Sequence, residues 1–279
     1  MKVIVTGATG QLGYDVCREL DRRGIEHIGL GSRDCDITSR EAVLTLLERE
    51  RPDAVIHCAA YTKVDQAEDD TARCWAVNAV GTYNLAEACA AVDAKMLYIS
   101  TDYVFPGDGE GFYHPQDAVG PIGNYGRTKL AGELAVRVML KRFFIVRTSW
   151  VFGVNGANFI KTMLRLAENH DVLRVVDDQI GSPTYTADLA PLLCDMIRTE
   201  RYGIYHATNE GVCSWAELAE AVFAAAGKHV RVEHVSTAEY GAKAPRPLNS
   251  RMAKDELDKN GFCRLPQWQD ALERYLREL

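Results

Sequence analysis

Short apolar segments alternate with longer amphipathic ones through the first half of the chain. The apolar segments predict strands over residues 2–6, 27–30, 54–58, 95–100 and 143–148. The amphipathic segments predict helices over residues 11–23, 39–50, 74–92 and 125–140. Strands that are apolar on both faces are typical of a parallel sheet covered by helices on both sides. The alternation therefore predicts an α/β fold with a Rossmann-type, doubly wound parallel sheet.

The pattern is less regular after residue 150. Helices are predicted over residues 159–168 and 215–226 and after Pro266, with short strands over 173–176, 203–206 and 230–234. The second of these helices begins at a capping box, Ser214-Trp215-Ala216-Glu217, whose serine and glutamate bind otherwise unpaired backbone amides. We expect a Rossmann domain over residues 1–150 and a small C-terminal α/β lobe over residues 151–279, some segments of which return to the Rossmann sheet.

Charge and composition narrow the functional classes. The 279 residues carry a net charge of −7 with a pI near 5.6, whereas a general nucleic-acid-binding protein presents a basic face. None of the 8 cysteines forms a C-x-x-C pair, which excludes the usual zinc-knuckle and thioredoxin motifs. No apolar run reaches the roughly 18 residues of a membrane span, and the N-terminus lacks a signal-peptide pattern. We expect a cytoplasmic protein with no nucleic-acid or membrane partner.

A glycine-rich segment, Gly7-Ala8-Thr9-Gly10-Gln11-Leu12-Gly13, lies between the first predicted strand and the first predicted helix. Its glycines let the backbone turn tightly and approach a pyrophosphate, whose charge meets the N-terminus of the helix. This position directly between a strand and a helix is typical of a dinucleotide-binding site. The residues expected to bind the dinucleotide are Gly7, Gly10, Gln11, Leu12 and Gly13.

The end of the second predicted strand bears on the choice of dinucleotide. Gly31-Ser32-Arg33 stands where NAD-dependent proteins usually carry a carboxylate for the ribose hydroxyls. Arg33 can instead pair with the 2′-phosphate of NADPH. Asp34 and Asp36 lie close by and leave NADH open. The sequence favours NADPH.

Tyr125 and Lys129 lie on one face of the helix predicted over 125–140, because residues four apart are neighbours on a helix surface. An ammonium beside a phenol favours release of the phenolic proton. Thr101, at the end of the fourth predicted strand, offers a hydroxyl to the same site. Together with the glycine segment, these residues predict a site that protonates a carbonyl oxygen during hydride transfer.

The glycine spacing G-x-x-G-x-x-G and the set of Thr101, Tyr125 and Lys129 resemble the extended branch of the short-chain dehydrogenase/reductase superfamily. Longer motifs resemble one family within it, the dTDP-4-dehydrorhamnose reductases, over essentially the whole chain. They are STDYVF at 100–105, YGRTKLAGE at 125–133, RTSWVF at 147–152, DQIGSPT at 178–184 and RPLNS at 246–250. The resemblance implies NADPH-dependent reduction of the C4 ketone of dTDP-4-dehydro-β-L-rhamnose, the last step in making dTDP-β-L-rhamnose.

The resemblance also implies roles for individual residues. Tyr125 would donate a proton to the ketone oxygen, Lys129 would bind the nicotinamide ribose and lower the tyrosine pKa, and Thr101 would hydrogen-bond the same oxygen. The further cofactor contacts that it implies are Asp36, Ile37, Ala59, Ala60, Tyr61 and Tyr125. The substrate contacts that it implies are Thr62, Val64, Thr101, Asp102, Tyr125, Trp150, Asn158 and Arg246.

Some of these substrate contacts have simpler interpretations. Core packing is the alternative for Trp150, and a solvated loop position is the alternative for Arg246, which would otherwise pair with the diphosphate. The acidic residues Asp65 and 68–70 are interpreted as a solvated helix start.

One residue separates this chain from related nucleotide-sugar 4,6-dehydratases. Those enzymes carry Thr-Asp-Glu at the end of the fourth strand, whereas Tyr103 replaces the glutamate here, so the base for water elimination is missing. Two alternatives remain open: a reductase of another nucleotide-linked 4-keto-6-deoxy sugar, and a non-catalytic regulatory subunit like that of methionine adenosyltransferase.

The sequence departs from the family at a metal site. Some members bind magnesium between subunits through three acidic side chains. Asp15 and Glu278 match two of them, but Ala187 stands at the third position. We expect no magnesium requirement and a monomer or a weak homodimer.

Overall fold

The computed structural model describes residues 1–279, and strands and helices alternate through much of the chain. The strands are β1 (Lys2–Thr6), β2 (Glu26–Leu30), β3 (Ala54–His57), β4 (Lys95–Thr101), β5 (Phe143–Thr148), β6 (Val151–Phe152), β7 (Val172–Val176), β8 (Ile180–Gly181), β9 (Thr184–Tyr185), β10 (Gly203–His206), β11 (Cys213–Ser214) and β12 (Arg231–Val235). The helices are α1 (Gln11–Arg22), α2 (Arg40–Glu50), α3 (Thr71–Trp75), α4 (Gly81–Val92), α5 (Asn124–Met139), α6 (Phe159–Leu166), α7 (Thr186–Met196), α8 (Trp215–Ala225), α9 (Thr237–Tyr240), α10 (Asp255–Lys259) and α11 (Trp268–Glu278). A π-helical turn, Ala76–Val80, joins α3 to α4 without a break.

Six strands form the central sheet, in the order β2-β1-β3-β4-β5-β10, and every neighbouring pair is parallel. The predicted doubly wound parallel sheet is confirmed. The strand order reverses direction between β1 and β3, and ligands of such sheets bind in the crevice outside the carboxyl ends of the strands at that point. The glycine segment after β1 lies at this crevice.

The strands are apolar throughout because each face of the sheet is covered. Along β1, Val3 and Val5 pack into a cluster with α1 and α7, whereas Ile4 packs into a second cluster with α2, α4 and α5. This alternation follows from the two-residue period of a strand. A third cluster lies outside the sheet, among α6, α8 and α11.

Local signals set several helix boundaries as the sequence predicts. The Ser39 hydroxyl accepts from the Ala42 amide, so α2 begins at Arg40. The capping box at Ser214 and Glu217 is formed, and it starts α8.

The chain after residue 150 contributes to the main sheet. Strand β10 pairs with β5 from Gly203 opposite Phe144 to His206 opposite Arg147. Helix α7, which the sequence pattern does not predict, packs against α1. The division at residue 150 into two domains stays a prediction. No helix combines the length and the apolarity that a membrane crossing requires.

Candidate active site

The glycine segment forms a close-packed turn between β1 and α1. Gly7 has a φ of +70°, and a Cβ built on it would lie 2.6 Å from the Ala59 amide nitrogen. A Cβ on Gly13 would overlap the carbonyl oxygen of Gly7. Gly10 precedes α1, and no side chain caps the helix, which leaves its first backbone N–H groups for an anion. This cradle fits the pyrophosphate of a dinucleotide.

Two asparagines after residue 150 hold this turn from the other side. The Asn155 side chain donates to the carbonyl oxygens of Thr9 (2.8 Å) and Gly10 (3.2 Å). Asn158 donates to the side-chain oxygen of Gln11 (3.1 Å) and to the Tyr275 hydroxyl (2.9 Å), while its own oxygen caps α6. A substrate contact for Asn158 stays a prediction. No motif in the sequence points to Asn155.

The charged side chains of the turn after β2, which are expected near the adenosine of the cofactor, differ in their partners. One oxygen of Asp34 accepts from the Gly31 amide at 2.7 Å, which ties that carboxylate to its own turn. Asp36 accepts from the Thr38 hydroxyl and amide, and these bonds hold the pKa of Asp36 below its usual range. Arg33 is exposed and makes no hydrogen bond or ion pair within the chain. Ile37 is buried beside the start of α4.

Asn78, in the π-helical turn, joins the segment after β3 to α5. Its side chain accepts from the Tyr61 amide at 2.8 Å and donates to the Tyr61 carbonyl at 3.1 Å, next to Ala59 and Ala60. It also donates to the Thr128 hydroxyl (3.1 Å). Sequence reasoning missed Asn78. The one signal for it was a polar amide side chain among the apolar residues of 76–80.

The reacting centre forms where β4 ends beside the first turns of α5. Thr101 donates to a carboxylate oxygen of Asp102 at 2.9 Å and accepts from the Tyr103 amide at 3.2 Å. One turn along α5, the Lys129 ammonium donates to the Ile99 carbonyl oxygen at 2.7 Å. The structure therefore brings Thr101, Asp102, Tyr125 and Lys129 together.

Burial dominates the electrostatics of this centre. It raises the pKa of Tyr125 above its usual range, Asp102 adds to the effect, and the Thr101 hydroxyl opposes it. Burial also raises the pKa of Asp102 to about 6 and lowers the pKa of Lys129 to about 7. Tyr125 is consequently a neutral phenol at pH 7, the form that can donate a proton. The expected lowering of the tyrosine pKa by Lys129 stays a prediction.

Asp102 is fixed by a residue far away in the chain. The Ser250 hydroxyl donates to its second carboxylate oxygen at 2.5 Å, and this bond opposes the rise in the pKa of Asp102. Ser250 is the last residue of the RPLNS motif at 246–250, but the sequence does not show that its partner is Asp102.

Trp150, between β5 and β6, has a strained backbone conformation. It has a φ of +50°, unusual for a bulky residue, and its ring stacks on Trp215 with centroids 3.8 Å apart. A Cβ on Gly181 would lie 2.9 Å from the Trp150 ring, so glycine makes room for it there. Both indoles are only partly buried.

Arg246 forms a bidentate ion pair with Asp65, at 3.0 and 2.7 Å. Asp65 also accepts from the Ala244 amide. Asp65 is exposed and directly precedes the 3₁₀ turn Gln66–Glu68, as the interpretation of a solvated helix start expects, and it is in addition the partner of Arg246. Thr62 is exposed and Val64 half-buried in the same loop.

The acidic residues considered for magnesium are engaged with hydroxyl groups. Thr186 donates to Asp15, and Tyr185 donates to Glu278 at 2.9 Å. Burial raises the pKa of Asp15, and the charge of Glu278 adds to the rise. No three side chains of the His, Cys, Asp or Glu type are arranged to hold a metal. Independence from magnesium stays a prediction.

Comparison with known proteins agrees with this geometry. The sequence profile of the RmlD substrate binding domain matches residues 1–279. The chain belongs to this family. Among its family relatives, the spore coat polysaccharide biosynthesis protein SpsK of Bacillus subtilis is 42% identical over 99% of this chain and 97% of its own length. The dTDP-4-dehydrorhamnose reductase of Mycolicibacterium smegmatis is 42% identical over 98% of this chain and 84% of its own.

Solved structures extend the likeness to the whole fold. A crystal structure of dTDP-4-dehydrorhamnose reductase from Bacillus anthracis in complex with NADP matches with a TM-score of 0.97 and 45% identity, covering 100% of this chain and 99% of that one. A UDP-glucose 4-epimerase from Thermus thermophilus matches with a TM-score of 0.84 but only 20% identity, which supports the fold alone. The resemblance drawn from the motifs is confirmed.

Proposed function

We propose that this protein reduces the C4 ketone of dTDP-4-dehydro-β-L-rhamnose to dTDP-β-L-rhamnose with NADPH. The observation that carries the proposal is the cluster of Thr101, Asp102, Tyr125 and Lys129 at the end of β4, beside a glycine turn shaped for a pyrophosphate. Family membership supports it, because relatives over nearly the whole chain are dTDP-4-dehydrorhamnose reductases.

The chain itself supplies the proton and the orientation. NADPH, when bound, supplies the hydride. Tyr125 supplies the proton for the ketone oxygen, since burial keeps its phenol neutral at pH 7. The Thr101 hydroxyl donates its hydrogen bond to Asp102, so its oxygen is the part of the group that acts on the phenol, and it favours release of the Tyr125 proton by opposing the rise in the pKa of Tyr125. Lys129 would bind the nicotinamide ribose from the buried side of the site.

The same residues argue against water elimination, the reaction of the related dehydratases. Tyr103 stands at the position of the dehydratase base, and its ring packs edge-on against Tyr125 with centroids 5.5 Å apart. A phenol whose pKa burial raises above its usual range is a poor base at neutral pH. Carbonyl reduction needs no such base.

Substrate contacts lie around the mouth of this centre. Trp150 offers its indole to the sugar or its base. Arg246 offers a guanidinium suited to a diphosphate, which would replace Asp65 as the partner of Arg246. Thr62, Val64 and Asn158 complete the proposed contacts. We place the reaction in the cytoplasm, carried out by a monomer or a weak homodimer.

The direct test mixes the protein, NADPH and dTDP-4-dehydro-L-rhamnose and follows the absorbance of the reduced cofactor. We expect NADPH oxidation and dTDP-L-rhamnose as the product by NMR, with or without a magnesium chelator. No oxidation would reject the proposal and favour the regulatory-subunit alternative. A product with another configuration at C4 would select the alternative 4-keto sugar reductase.

Tyr125→Phe supplies the internal control. It removes the proton donor and keeps the ring, so turnover should fall by at least about a hundredfold. NADPH binding, measured by cofactor fluorescence, should stay within about twofold of wild type. Loss of cofactor binding instead would mean that Tyr125 supports the cofactor rather than the chemistry.

A further inference from the structure

The Lys129 ammonium is buried with few partners. The residue is only 2% exposed, and the one hydrogen-bond acceptor of its ammonium within the chain is the Ile99 carbonyl oxygen. A buried cation is costly unless other groups compensate it. The ammonium lies 4.1 Å from the centre of the Tyr98 ring, a distance at which the negative face of an aromatic ring attracts a cation.

Tyr98 is bound to the same residue a second time. Its hydroxyl donates to the backbone carbonyl oxygen of Lys129 at 3.2 Å. Helix α5 leaves room for this hydroxyl, because a Cβ on Gly132 would overlap it and would lie 2.9 Å from the ring carbon that bears it. Ring and hydroxyl thus hold the two ends of one lysine.

His57 is the partner of Tyr98 in the register between β3 and β4. The two rings stack with centroids 5.5 Å apart, and His57 is held between Thr6 (2.7 Å) and Thr82 (3.1 Å). The Thr82 hydroxyl donates its hydrogen bond to the Asn78 carbonyl oxygen, so the Thr82 oxygen accepts from Nε2 of His57. Nδ1 of His57 then accepts from the Thr6 hydroxyl. Burial lowers the pKa of His57 to about 3, so no second cation lies behind the ring.

From these contacts we infer that Tyr98 is a positioning residue for the reaction, holding the Lys129 ammonium on its ring face so that the cation points toward the cofactor site. The inference rests on the proposed function and deepens it. Neither the family motifs nor the Y-x-x-x-K spacing includes Tyr98. It acts through Lys129 and does not itself reach the reacting atoms.

The other groups that face Lys129 come from several elements. They are Glu133 of α5, Cys58 after β3, Cys74 of α3 and the neutral His57 of β3. Glu133 favours the charged lysine, yet it is already committed to Arg147 and the Ser100 hydroxyl. Removing the Tyr98 ring therefore leaves the Ile99 carbonyl oxygen as the remaining close partner of the ammonium, and Lys129 should lose its proton at lower pH.

The test measures NADPH affinity by cofactor fluorescence from pH 5 to pH 10. In the wild type we expect affinity to fall as Lys129 loses its proton, and Lys129→Met should lack this fall. In Tyr98→Leu the fall should begin about one pH unit lower, whereas Tyr98→Phe, which keeps the ring, should follow the wild type.

Tyr205→Leu is the matched control for damage to the core. Tyr205 is an equally buried tyrosine on β10 of the same sheet, remote from Lys129, and its hydroxyl also bonds a backbone carbonyl. Its pH profile should match the wild type even if its stability falls. A Tyr98→Leu profile that is lower at every pH but unshifted would overturn the inference, as would an equal shift in Tyr205→Leu.

The two proposals fail separately. The wild-type protein could bind NADPH with the expected pH profile and yet fail to oxidise it when any nucleotide sugar is added. That result would reject the proposed function and leave the role of Tyr98 standing. NADPH oxidation by the wild type, together with an unshifted pH profile in Tyr98→Leu, would support the proposed function and reject the role of Tyr98.

Discussion

At the scale of single residues, Arg246 already has a partner before any substrate arrives. Its guanidinium is bound by both oxygens of Asp65, so an incoming diphosphate must replace that carboxylate. A charge-assisted hydrogen bond is worth about 1.5–3 kcal/mol. Arg246→Gln should therefore raise the KM for the nucleotide sugar about ten- to hundredfold and change kcat little, in steady-state assays of NADPH oxidation.

Lys243 is a suitable control for Arg246. It pairs with Asp69 nearby at the surface. Lys243→Gln should leave KM near the wild-type value, because an exposed ion pair contributes little. An unchanged KM in Arg246→Gln would place the diphosphate elsewhere.

Arg33 is the unpaired cation at the end of β2. Asp34 is tied to the Gly31 amide, so the arginine is free to meet a 2′-phosphate. Arg33→Ala should raise the Kd for NADPH about tenfold and leave the Kd for NADH unchanged, measured by fluorescence titration. Arg40, whose charge is paired with Glu87, gives the control Arg40→Ala. Equal Kd values for the two cofactors in wild type, unaltered in Arg33→Ala, would show that Arg33 does not select the cofactor.

At the scale of elements, the turn from β1 into α1 tolerates no side chain at Gly13. A Cβ there would overlap the Gly7 carbonyl oxygen, which is backbone and cannot move without opening the cradle. Gly13→Ala should weaken NADPH binding by at least about tenfold in a fluorescence titration. Gly120→Ala is the control, since its Cβ would meet only Pro106 at 3.7 Å. Wild-type affinity in Gly13→Ala would exclude this turn from the cofactor site.

Elements with a local signal were predictable from sequence. Strands of the sheet and the helices between them lie within about three residues of their predicted bounds, because alternation and caps such as Ser39 are local. Helix α7 escaped prediction because it contains Pro191, which normally argues against a helix interior. Strand β10 was predicted as a strand, but its place beside β5 depends on pairing across more than fifty residues of chain.

At the scale of the whole molecule, two buried histidines make stability depend on pH. Burial lowers the pKa of both His57 and His206 to about 3, against about 6.5 in the unfolded chain. Below pH 6.5 the unfolded state binds protons that the folded state does not. Each histidine should therefore cost about 1.4 kcal/mol of unfolding free energy per pH unit as the pH falls from 6.5 toward 3.

His206→Asn isolates one of these contributions, since an asparagine amide can still donate to the Ala253 carbonyl oxygen that His206 faces. Urea unfolding at pH 7.5 and pH 5 should show a smaller loss of stability in this variant than in the wild type. Asp102 acts with the opposite sign, because its raised pKa lets the folded state bind a proton first as the pH falls below about 6, which raises the free energy of unfolding. This contribution is the same in the wild type and in His206→Asn. The exposed His170 gives the control His170→Asn, and equal losses in all three proteins would contradict the assignment.

The candidate site shows the limit of sequence reasoning at this scale. Thr101, Tyr125 and Lys129 could be proposed because each lies in a short motif of fixed spacing. Ser250 and Asp65 could not be given their partners, because those bonds join residues 148 and 181 positions apart and only the folded chain brings them together.

The stacked indoles of Trp150 and Trp215 also have an optical consequence. With centroids 3.8 Å apart and planes 15° from parallel, they are close enough to couple electronically and to give a paired circular-dichroism band instead of two separate ones. One of the two borders the proposed substrate site, so a ligand that turns it would change that band. We therefore expect the indole pair to report on the proposed substrate site, without labels and without turnover.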